Sequence, residues 1–260
     1  MNTQWDPELY LRFQEERTQP SIDLVNRIVL DEPGRILDVG CGPGNSTEIL
    51  FGRWPEAEIT GLDSSEDMIQ KAKKSFPKRY WVHSDIMDFQ MPGYFDLVFS
   101  NAVLQWLPHQ KSVIKHLVGF LKPGGILAVQ VPQNQGSPLH ETLNKIASQK
   151  EFSQYTKDAQ KTLHYRTGYF YYDKLSSLMD DLYIWETSYY HIMDKHENLI
   201  QWYRSTGMRP YLQSLPDDEL REKMINLLLA QCRLAYPLQK DGRVIFPFNR
   251  LFFIGKKPSK

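Results

Sequence analysis

Three alternating glycines stand where a short apolar run meets a predicted helix. They are Gly40, Gly42 and Gly44, and they follow Val39 at the end of that run. Glycine adopts positive φ without strain and lets a ligand approach the backbone, so this turn predicts a small-molecule site at the carboxyl edge of a sheet. Asp63 ends the next apolar run, where a carboxylate can accept hydrogen bonds from both hydroxyls of a ribose.

A dinucleotide is the main alternative ligand for this turn. A pyrophosphate requires the spacing GxGxxG at a helix N-terminus. Here Pro43 removes one amide from the turn, and the third glycine comes one residue early. The pattern therefore favours a ligand with a ribose but no phosphate. An ordinary tight turn, with Asp63 as an N-cap, remains open.

Alternating strands and helices are expected to position these residues. Short apolar segments and amphipathic segments alternate between residues 35 and 131, which is typical of a parallel sheet covered by helices. The last strand contains Pro247, which requires a sheet edge or a bulge. The predicted strands are 35–39, 58–63, 80–84, 95–100, 125–131, 182–191 and 244–255, and the predicted helices are 20–29, 46–54, 65–76, 111–121, 173–181, 197–204 and 217–236.

We predict one domain, residues 1–260, that carries a helical cap. The alternation stops after Val131, and the residues up to 172 are mostly polar and aromatic. The core is assigned to about residues 18–132, 173–193 and 244–256, and the cap or lid to residues 1–17, 133–172 and 194–243. Trp5, Tyr10 and Phe13 favour a lid over the ligand, with a hydrophobic staple onto the first helix as the alternative.

Charge and cysteine usage exclude several function classes. The chain has 31 basic and 31 acidic residues, so no broad attraction to nucleic acid or to an anionic membrane is expected. The absence of a signal core and of a long apolar run predicts a cytoplasmic protein. The two cysteines form no CxxC, and none of the seven histidines stands in a ligand spacing, so no metal is expected.

The first half of the chain resembles the class I S-adenosylmethionine-dependent methyltransferases. The likeness lies in residues 38–44, 61–65, 84–86, 95–101 and 121–125. It implies an α/β fold with a Rossmann-like, doubly wound, mostly parallel sheet of seven strands whose last strand is antiparallel. It implies S-adenosyl-L-methionine as cofactor and S-adenosyl-L-homocysteine as product. It implies that Asp38 and Gly40 hold the methionine end, with Asn101 approaching it through its backbone, that Asp63 binds the ribose, and that Asp85 and Ile86 bind the adenine. Met68 is expected either to cover the adenine face or to be a core methionine. Gly42, Gly44 and Ser64 are also expected to bind the cofactor.

Segments scattered over nearly the full length resemble the trans-aconitate 2-methyltransferase family. They are residues 5–13, 100–108, 189–191, 206–212, 236–239 and 248–252. The resemblance implies methyl esterification of trans-aconitate or a closely related small polycarboxylate. A carboxylate is already ionised at neutral pH, so the reaction needs no general base. We therefore predict catalysis by positioning alone, without a catalytic residue.

A polycarboxylate requires cationic and polar donors in this neutral chain. Arg209, in a predicted loop, is the first candidate, and Arg250, in an aromatic strand, is the second. Gln105 is expected to hydrogen-bond a carboxylate, and Trp106 to form a wall of the pocket, because both follow the fourth strand at the sheet edge. Structural roles, such as a salt bridge of Arg250 or core packing of Trp106, remain open.

Tyr189, Tyr190 and His191 complete the predicted substrate site. Strand alternation places Tyr190 opposite to its two neighbours, so one face is expected to contact substrate while the other packs.

Two other functions remain open: methylation of another acid, such as a fatty or acyl-carrier-bound acid, and a non-catalytic cofactor-binding activator subunit. The tyrosines and arginine between residues 155 and 172 disfavour a fatty acid.

Overall fold

A seven-stranded sheet forms the centre of the molecule. The computed structural model describes residues 14–259, with side chains from residue 18 onward. The strands are β1 (Arg35–Val39), β2 (Glu58–Asp63), β3 (Tyr80–His83), β4 (Phe95–Asn101), β5 (Leu121–Pro132), β6 (Asp180–Met193) and β7 (Val244–Lys256). Their order in the sheet is β3-β2-β1-β4-β5-β7-β6. Adjacent strands from β1 to β5 run parallel, whereas β7 is antiparallel to both β5 and β6. The predicted doubly wound sheet with an antiparallel last strand is confirmed.

Helices cover both faces of this sheet because side chains alternate along each strand. Ile36 packs in one cluster with Leu24, whereas the next residue, Leu37, packs in another with Leu117. No helix within residues 14–259 is long and apolar enough to cross a membrane. The helices are α1 (Gln14–Arg27), α2 (Asn45–Arg53), α3 (Glu66–Ser75), α4 (Gln110–Phe120), α5 (Pro138–Ala147), α6 (Lys150–Thr156), α7 (Gly168–Leu175), α8 (His196–Arg204), α9 (Arg209–Ser214) and α10 (Asp218–Ala235).

The helices α5, α6, α8, α9 and α10, which we call the cap, share a separate hydrophobic core. Leu139 and Leu143 of α5 pack in this cluster with Leu228 of α10. Met193 and Phe246, at the outer ends of β6 and β7, join the same cluster and anchor the cap to the sheet. The predicted aromatic lid falls on residues 1–13, which lie outside the described part of the chain.

Several element boundaries differ from the prediction: the first helix spans Gln14–Arg27 instead of 20–29, and two other shifts have a clear physical reason. The helix predicted over 173–181 is α7, which begins at Gly168 because the Thr167 side chain caps it by accepting a hydrogen bond from the Phe170 amide. The fifth strand begins at Leu121, four residues earlier than predicted, because a register shift in its pairing with β4 accommodates Lys122-Pro123-Gly124-Gly125.

Candidate functional site

A cavity of about 380 Å³ opens at the carboxyl ends of β1, β2 and β4, between the sheet and the cap. This edge is where open α/β sheets bind ligands. The cavity brings together most of the predicted residues, namely Gly40, Gly42, Asp63, Ser64, Met68, Asp85, Ile86 and Asn101 at the sheet end, with Gln105, Trp106, Arg209 and Arg250 toward the cap. The predicted residues that do not line it are Asp38, Gly44, Tyr189, Tyr190 and His191.

The glycine turn has three left-handed residues, with φ of 70°, 56° and 101° at Gly40, Gly42 and Gly44. A Cβ on Gly40 would lie 2.2 Å from a methyl of Val103, so only glycine fits between the turn and that side chain. A Cβ on Gly42 would meet no atom within 4 Å, and this glycine lines the cavity. Gly42 is therefore the point at which a ligand can reach the backbone of the turn.

Gly44 is the one glycine of the turn that does not line the cavity. It precedes α2 and packs against aromatic side chains instead of lining the cavity: an added Cβ would lie 2.8 Å from Trp81 and 2.9 Å from Phe76. The close approach of these rings, together with the positive φ, explains the glycine at this position. Its part in cofactor binding is thus limited to shaping the turn.

We expect Gly44→Ala to lower the free energy of unfolding by about 3 kcal/mol, from left-handed backbone strain plus displacement of two aromatic rings. Gly93→Ala is the matched control, because Gly93 also has positive φ but open space around its Cα. The control should lose only about 1 kcal/mol. Urea unfolding followed by circular dichroism measures both. Equal losses would show that ring contact is not the reason for Gly44.

Asp63 ends β2 directly beneath the cavity. Its Oδ2 accepts a hydrogen bond from the Gly42 amide at 2.9 Å, and its Oδ1 accepts one from the Ser65 amide at 2.8 Å. Burial raises the pKa of this carboxyl, and the two amides oppose that effect. Each oxygen keeps acceptor capacity for a further donor, so the carboxylate is suited to two adjacent hydroxyls. The N-cap of α3 is Ser65, not Asp63.

Asp38 lies fully buried below the turn and not in the cavity. Its Oδ2 accepts hydrogen bonds from the hydroxyls of Ser46 and Thr47, both at 2.7 Å, in the first turn of α2. Burial raises the pKa of this carboxyl to about 6 against the effect of the two hydroxyls. Asp38 therefore holds the turn against α2, and its side chain does not line the cavity.

Apolar and polar side chains share the sheet end of the cavity. Met68 and Ile86 are buried and supply apolar surface, whereas Asp85 is exposed and accepts a hydrogen bond from the Met87 amide. Asn101 ends β4, and its Oδ1 is enclosed without a hydrogen-bond partner among the described residues. A buried acceptor in this state favours a donor from a ligand.

The two predicted arginines both line the cavity, Arg209 from the cap helix α9 and Arg250 from β7. The Arg209 guanidinium is 5.7 Å from the centroid of the Trp106 ring, and burial lowers its pKa. Arg250 donates to Gln130 Oε1 at 3.3 Å and lies over the Phe248 ring at 4.7 Å. Arg209 is the first residue of α9 instead of a loop residue, because Pro210 fits the first turn of a helix.

Gln105 and Trp106 form a short 3-10 helix after β4. The Gln105 Nε2 donates to the Ala102 carbonyl at 2.7 Å, and its Oε1 is enclosed without a partner among the described residues. Ala102 itself has a positive φ of 59°, so this amide holds an unusual backbone turn at the cavity wall. Gln105 lines the site, but one of its donors is already used to hold this turn.

Tyr189, Tyr190 and His191 lie away from the cavity. The Tyr189 hydroxyl donates to Asp23 of α1 at 2.5 Å, and Tyr190 is 66% exposed on the opposite face of β6. His191 is buried among aromatic rings, including those of Trp202 and Phe248. The expected alternation is present, but the inward face packs on the fold. The substrate contacts predicted for these three residues are therefore not supported.

The buried His191 should make stability depend on pH. Burial, and secondarily the charge of Arg250, lowers the pKa of its imidazole from 6.5 to about 4. Between pH 4 and pH 6.5, the His191 imidazole takes up a proton in the unfolded chain but not in the native protein. Stability from this residue is therefore complete above pH 6.5 and falls as the pH drops toward 4. We expect a loss of about 2 kcal/mol between pH 7 and pH 5.

The measurement compares the free energy of unfolding of the wild type and of His191→Phe at both pH values. The variant should lack this part of the pH dependence, so the difference between the two proteins should change by about 2 kcal/mol. An unchanged difference would mean that the pKa of His191 is the same in the native and the unfolded protein.

Several cavity residues were not predicted from the sequence. They come from the cap and from the segment before α7, and they are His140, Tyr165, Trp202, Tyr203 and Thr206. A usable signal was present for α5, because Leu139, Leu143 and Ile146 follow a helical period. No comparable signal identifies Tyr165, which reaches the cavity from outside a regular element.

Relatives of known name cover almost the whole chain. The trans-aconitate 2-methyltransferase of Rhodopseudomonas palustris (strain BisB18) is 41% identical over 254 residues, which are 97% of this chain and 99% of that protein. The chain belongs to the trans-aconitate 2-methyltransferase family. The enzyme of that name from Escherichia coli O157:H7 is 39% identical over 253 residues, or 97% of this chain and 98% of its own.

The central part of the chain also matches a domain model, and its fold matches a solved structure. Residues 37–129 match the model of a methyltransferase domain. The YcgJ protein of Bacillus subtilis superposes with a TM-score of 0.61 at 14% identity, covering 93% of this chain and all of that one. This likeness shows a shared fold. The matched domain contains the end of β1, all of β2 to β4, most of β5 and the glycine turn, whereas the cap lies beyond it.

The sheet end of the cavity fits S-adenosyl-L-methionine, the cofactor of this enzyme. The Asp63 carboxylate is suited to a ribose, the buried surfaces of Met68 and Ile86 to an adenine, and the open side of Gly42 to the methionine part. The unsatisfied Oδ1 of Asn101 is an acceptor that the ammonium group of the methionine part would satisfy. No group of three His, Cys, Asp or Glu within residues 14–259 is arranged to hold a metal ion.

Proposed function

We propose that this chain methylates one carboxylate of trans-aconitate, or of a closely related small polycarboxylate, to give a monomethyl ester. The observation that carries the proposal is that Arg209 and Arg250 line the same cavity as Asp63 and the glycine turn. One end suits an uncharged nucleoside, and the other offers two guanidinium groups to anions. The names of the relatives point to the same acid.

The reaction depends on how the acid is positioned and needs no acid-base catalyst. When bound, S-adenosyl-L-methionine supplies a methyl group on a cationic sulfur. A lone pair of the carboxylate oxygen forms the new bond to carbon as the carbon–sulfur bond breaks, and no proton moves. Because the acid is already ionised near pH 7, the chain has only to hold one oxygen in line and exclude water. Trp106 and Phe248 line the cavity with aromatic surface that would keep water from the acid.

The arginines would hold the carboxylates that do not react. Arg209 presents a planar fork stabilised over the Trp106 ring, and Arg250 is held by Gln130 and Phe248. Each therefore has a restricted orientation before an acid enters. Restricted donors lose less entropy on binding, so the substrate is oriented at lower cost.

The test is transfer of labelled methyl from S-adenosyl-L-methionine by the purified chain alone. Acceptors are trans-aconitate, cis-aconitate, citrate, isocitrate and a medium-chain fatty acid. We expect transfer to trans-aconitate to exceed transfer to the fatty acid by orders of magnitude. Preference for the fatty acid would overturn the proposal, as would intact cofactor binding without transfer to any of these acids.

A further inference from the structure

A histidine and a tyrosine of the cap form a pair beside the arginines. His140 of α5 and Tyr203 of α8 both line the cavity, and His140 Nδ1 lies 2.9 Å from the Tyr203 hydroxyl. The Tyr165 ring meets the imidazole edge-on, with centroids 5.3 Å apart, and fixes its plane. Both residues belong to cap helices, so the pair places polar side chains of the cap at the cavity.

Both members of the pair are neutral near pH 7. Burial lowers the pKa of His140, and burial raises the pKa of Tyr203 well above its ordinary value. The Tyr203 hydroxyl makes no other hydrogen bond within the described residues, and His140 Nε2 makes none. That nitrogen is not fully enclosed, and His140 lines the cavity.

A neutral imidazole has two tautomers, and its partners select between them. If the Tyr203 hydroxyl donates to Nδ1, the proton of the ring stands on Nε2 and can be donated into the cavity. An ionised carboxylate only accepts hydrogen bonds, so it favours this tautomer over the other. The pair is thus suited to bind an anion with a neutral donor.

The position of Tyr203 is tied to that of Arg209. A Cβ on Gly207 would lie 2.4 Å from the Tyr203 ring and 2.8 Å from its hydroxyl oxygen, so the ring rests directly on the bare backbone of Gly207. Gly207 precedes Arg209 by only two residues, and both line the cavity. The position of the pair and that of Arg209 therefore both depend on the backbone at Gly207.

We propose that His140 is a further substrate-binding residue, which donates Nε2–H to a carboxylate that is not methylated, and that Tyr203 is the positioning residue that fixes its tautomer. The inference rests on the proposed function. The reacting carboxylate has to lie at the sheet end, whereas His140 belongs to the cap. Arg209, Arg250 and His140 then provide three anchoring groups, which explains selection of a polycarboxylate over a simple acid.

The test uses trans-aconitate and three dicarboxylic acids, glutaconate, itaconate and mesaconate, each of which lacks one of its carboxylates. We expect His140→Phe to lower kcat/KM for trans-aconitate by about 10- to 100-fold, mainly through KM, because a hydrogen bond to a charged group is lost. For the one dicarboxylic acid that lacks the carboxylate held by His140, the substitution should change kcat/KM little. His140→Gln, which keeps a donor near the Nε2 position, should recover part of the loss.

Tyr203→Phe removes only the hydroxyl and keeps the ring on Gly207. It should raise KM for trans-aconitate and leave the Kd of S-adenosyl-L-methionine unchanged. Nitrogen-15 NMR of His140, in the complex with S-adenosyl-L-homocysteine and trans-aconitate, should show a neutral ring protonated at Nε2. Protonation at Nδ1 in that complex, or an equal loss of kcat/KM for every one of these acids that accepts a methyl group, would overturn the proposal.

Binding separates this inference from the proposed function. Calorimetry of the complex with S-adenosyl-L-homocysteine measures the Kd of trans-aconitate without turnover. If the acid binds without methyl transfer, the proposed function fails, and the effect of His140→Phe on Kd still decides the inference. If the acid does not bind the wild type, both fail.

Discussion

Replacing Asp63 by alanine should raise the Kd of S-adenosyl-L-methionine by about 100-fold or more, since at least two charge-assisted hydrogen bonds are lost. The carboxylate has a double task. It holds the glycine turn through the Gly42 amide and the start of α3 through the Ser65 amide, and it would accept the two ribose hydroxyls. Methyl transfer at ordinary cofactor concentrations should then be undetectable.

Asp63→Asn separates charge from size. An asparagine has one acceptor oxygen, so its amide group would have to face either the Gly42 or the Ser65 donor. We therefore expect it to behave much like alanine. The matched control is Asp67→Asn, because Asp67 is an exposed carboxylate in the first turn of α3 and does not line the cavity.

Calorimetry with S-adenosyl-L-homocysteine measures the affinity, and urea unfolding verifies that the variants are folded. A change of less than fivefold for Asp63→Ala would contradict the assignment of this carboxylate to the ribose. The pKa of Asp63 is raised by burial, so affinity in the wild type should decrease as the pH falls and the carboxyl becomes protonated.

The sheet end of the site was predictable from the sequence because it depends on local pattern. Gly40, Gly42 and Asp63 follow strands whose apolar runs are bounded by turn residues, and the carboxyl ends of parallel strands share one edge. Gly44 and Asp38 were also recognisable, but not their structural tasks. Those tasks depend on Trp81 and on α2, which no spacing within the turn reveals.

The cap end was predicted less well because it depends on packing between distant segments. Alternation along β6 correctly separated Tyr190 from its neighbours, yet it could not show that the inward face meets α1 through Asp23. His140 and Tyr203 are 63 residues apart in sequence and meet only in the fold. Arg209 was identified by its residue type and its neighbours, although its helix was not.

Arg209 is the residue whose loss should affect the acid most. Replacement by methionine should raise KM for trans-aconitate by about 100-fold, because a desolvated guanidinium bound to a carboxylate contributes several kcal/mol. The Kd of S-adenosyl-L-methionine should stay within about twofold, since Arg209 belongs to the cap helix α9, whereas Asp63 ends β2. Arg209→Lys keeps the charge but loses the planar fork over Trp106, so an intermediate increase of about tenfold is expected.

The matched control is Arg204→Met, because Arg204 is an exposed arginine at the end of α8 that does not line the cavity. Steady-state kinetics with trans-aconitate at saturating cofactor separate KM from kcat for all three variants. If Arg209→Met lowered kcat alone, the guanidinium would act on the transfer step instead of on binding of the acid. If Arg204→Met and Arg209→Met raised KM equally, the effect would come from overall charge, and neither arginine would contact the substrate.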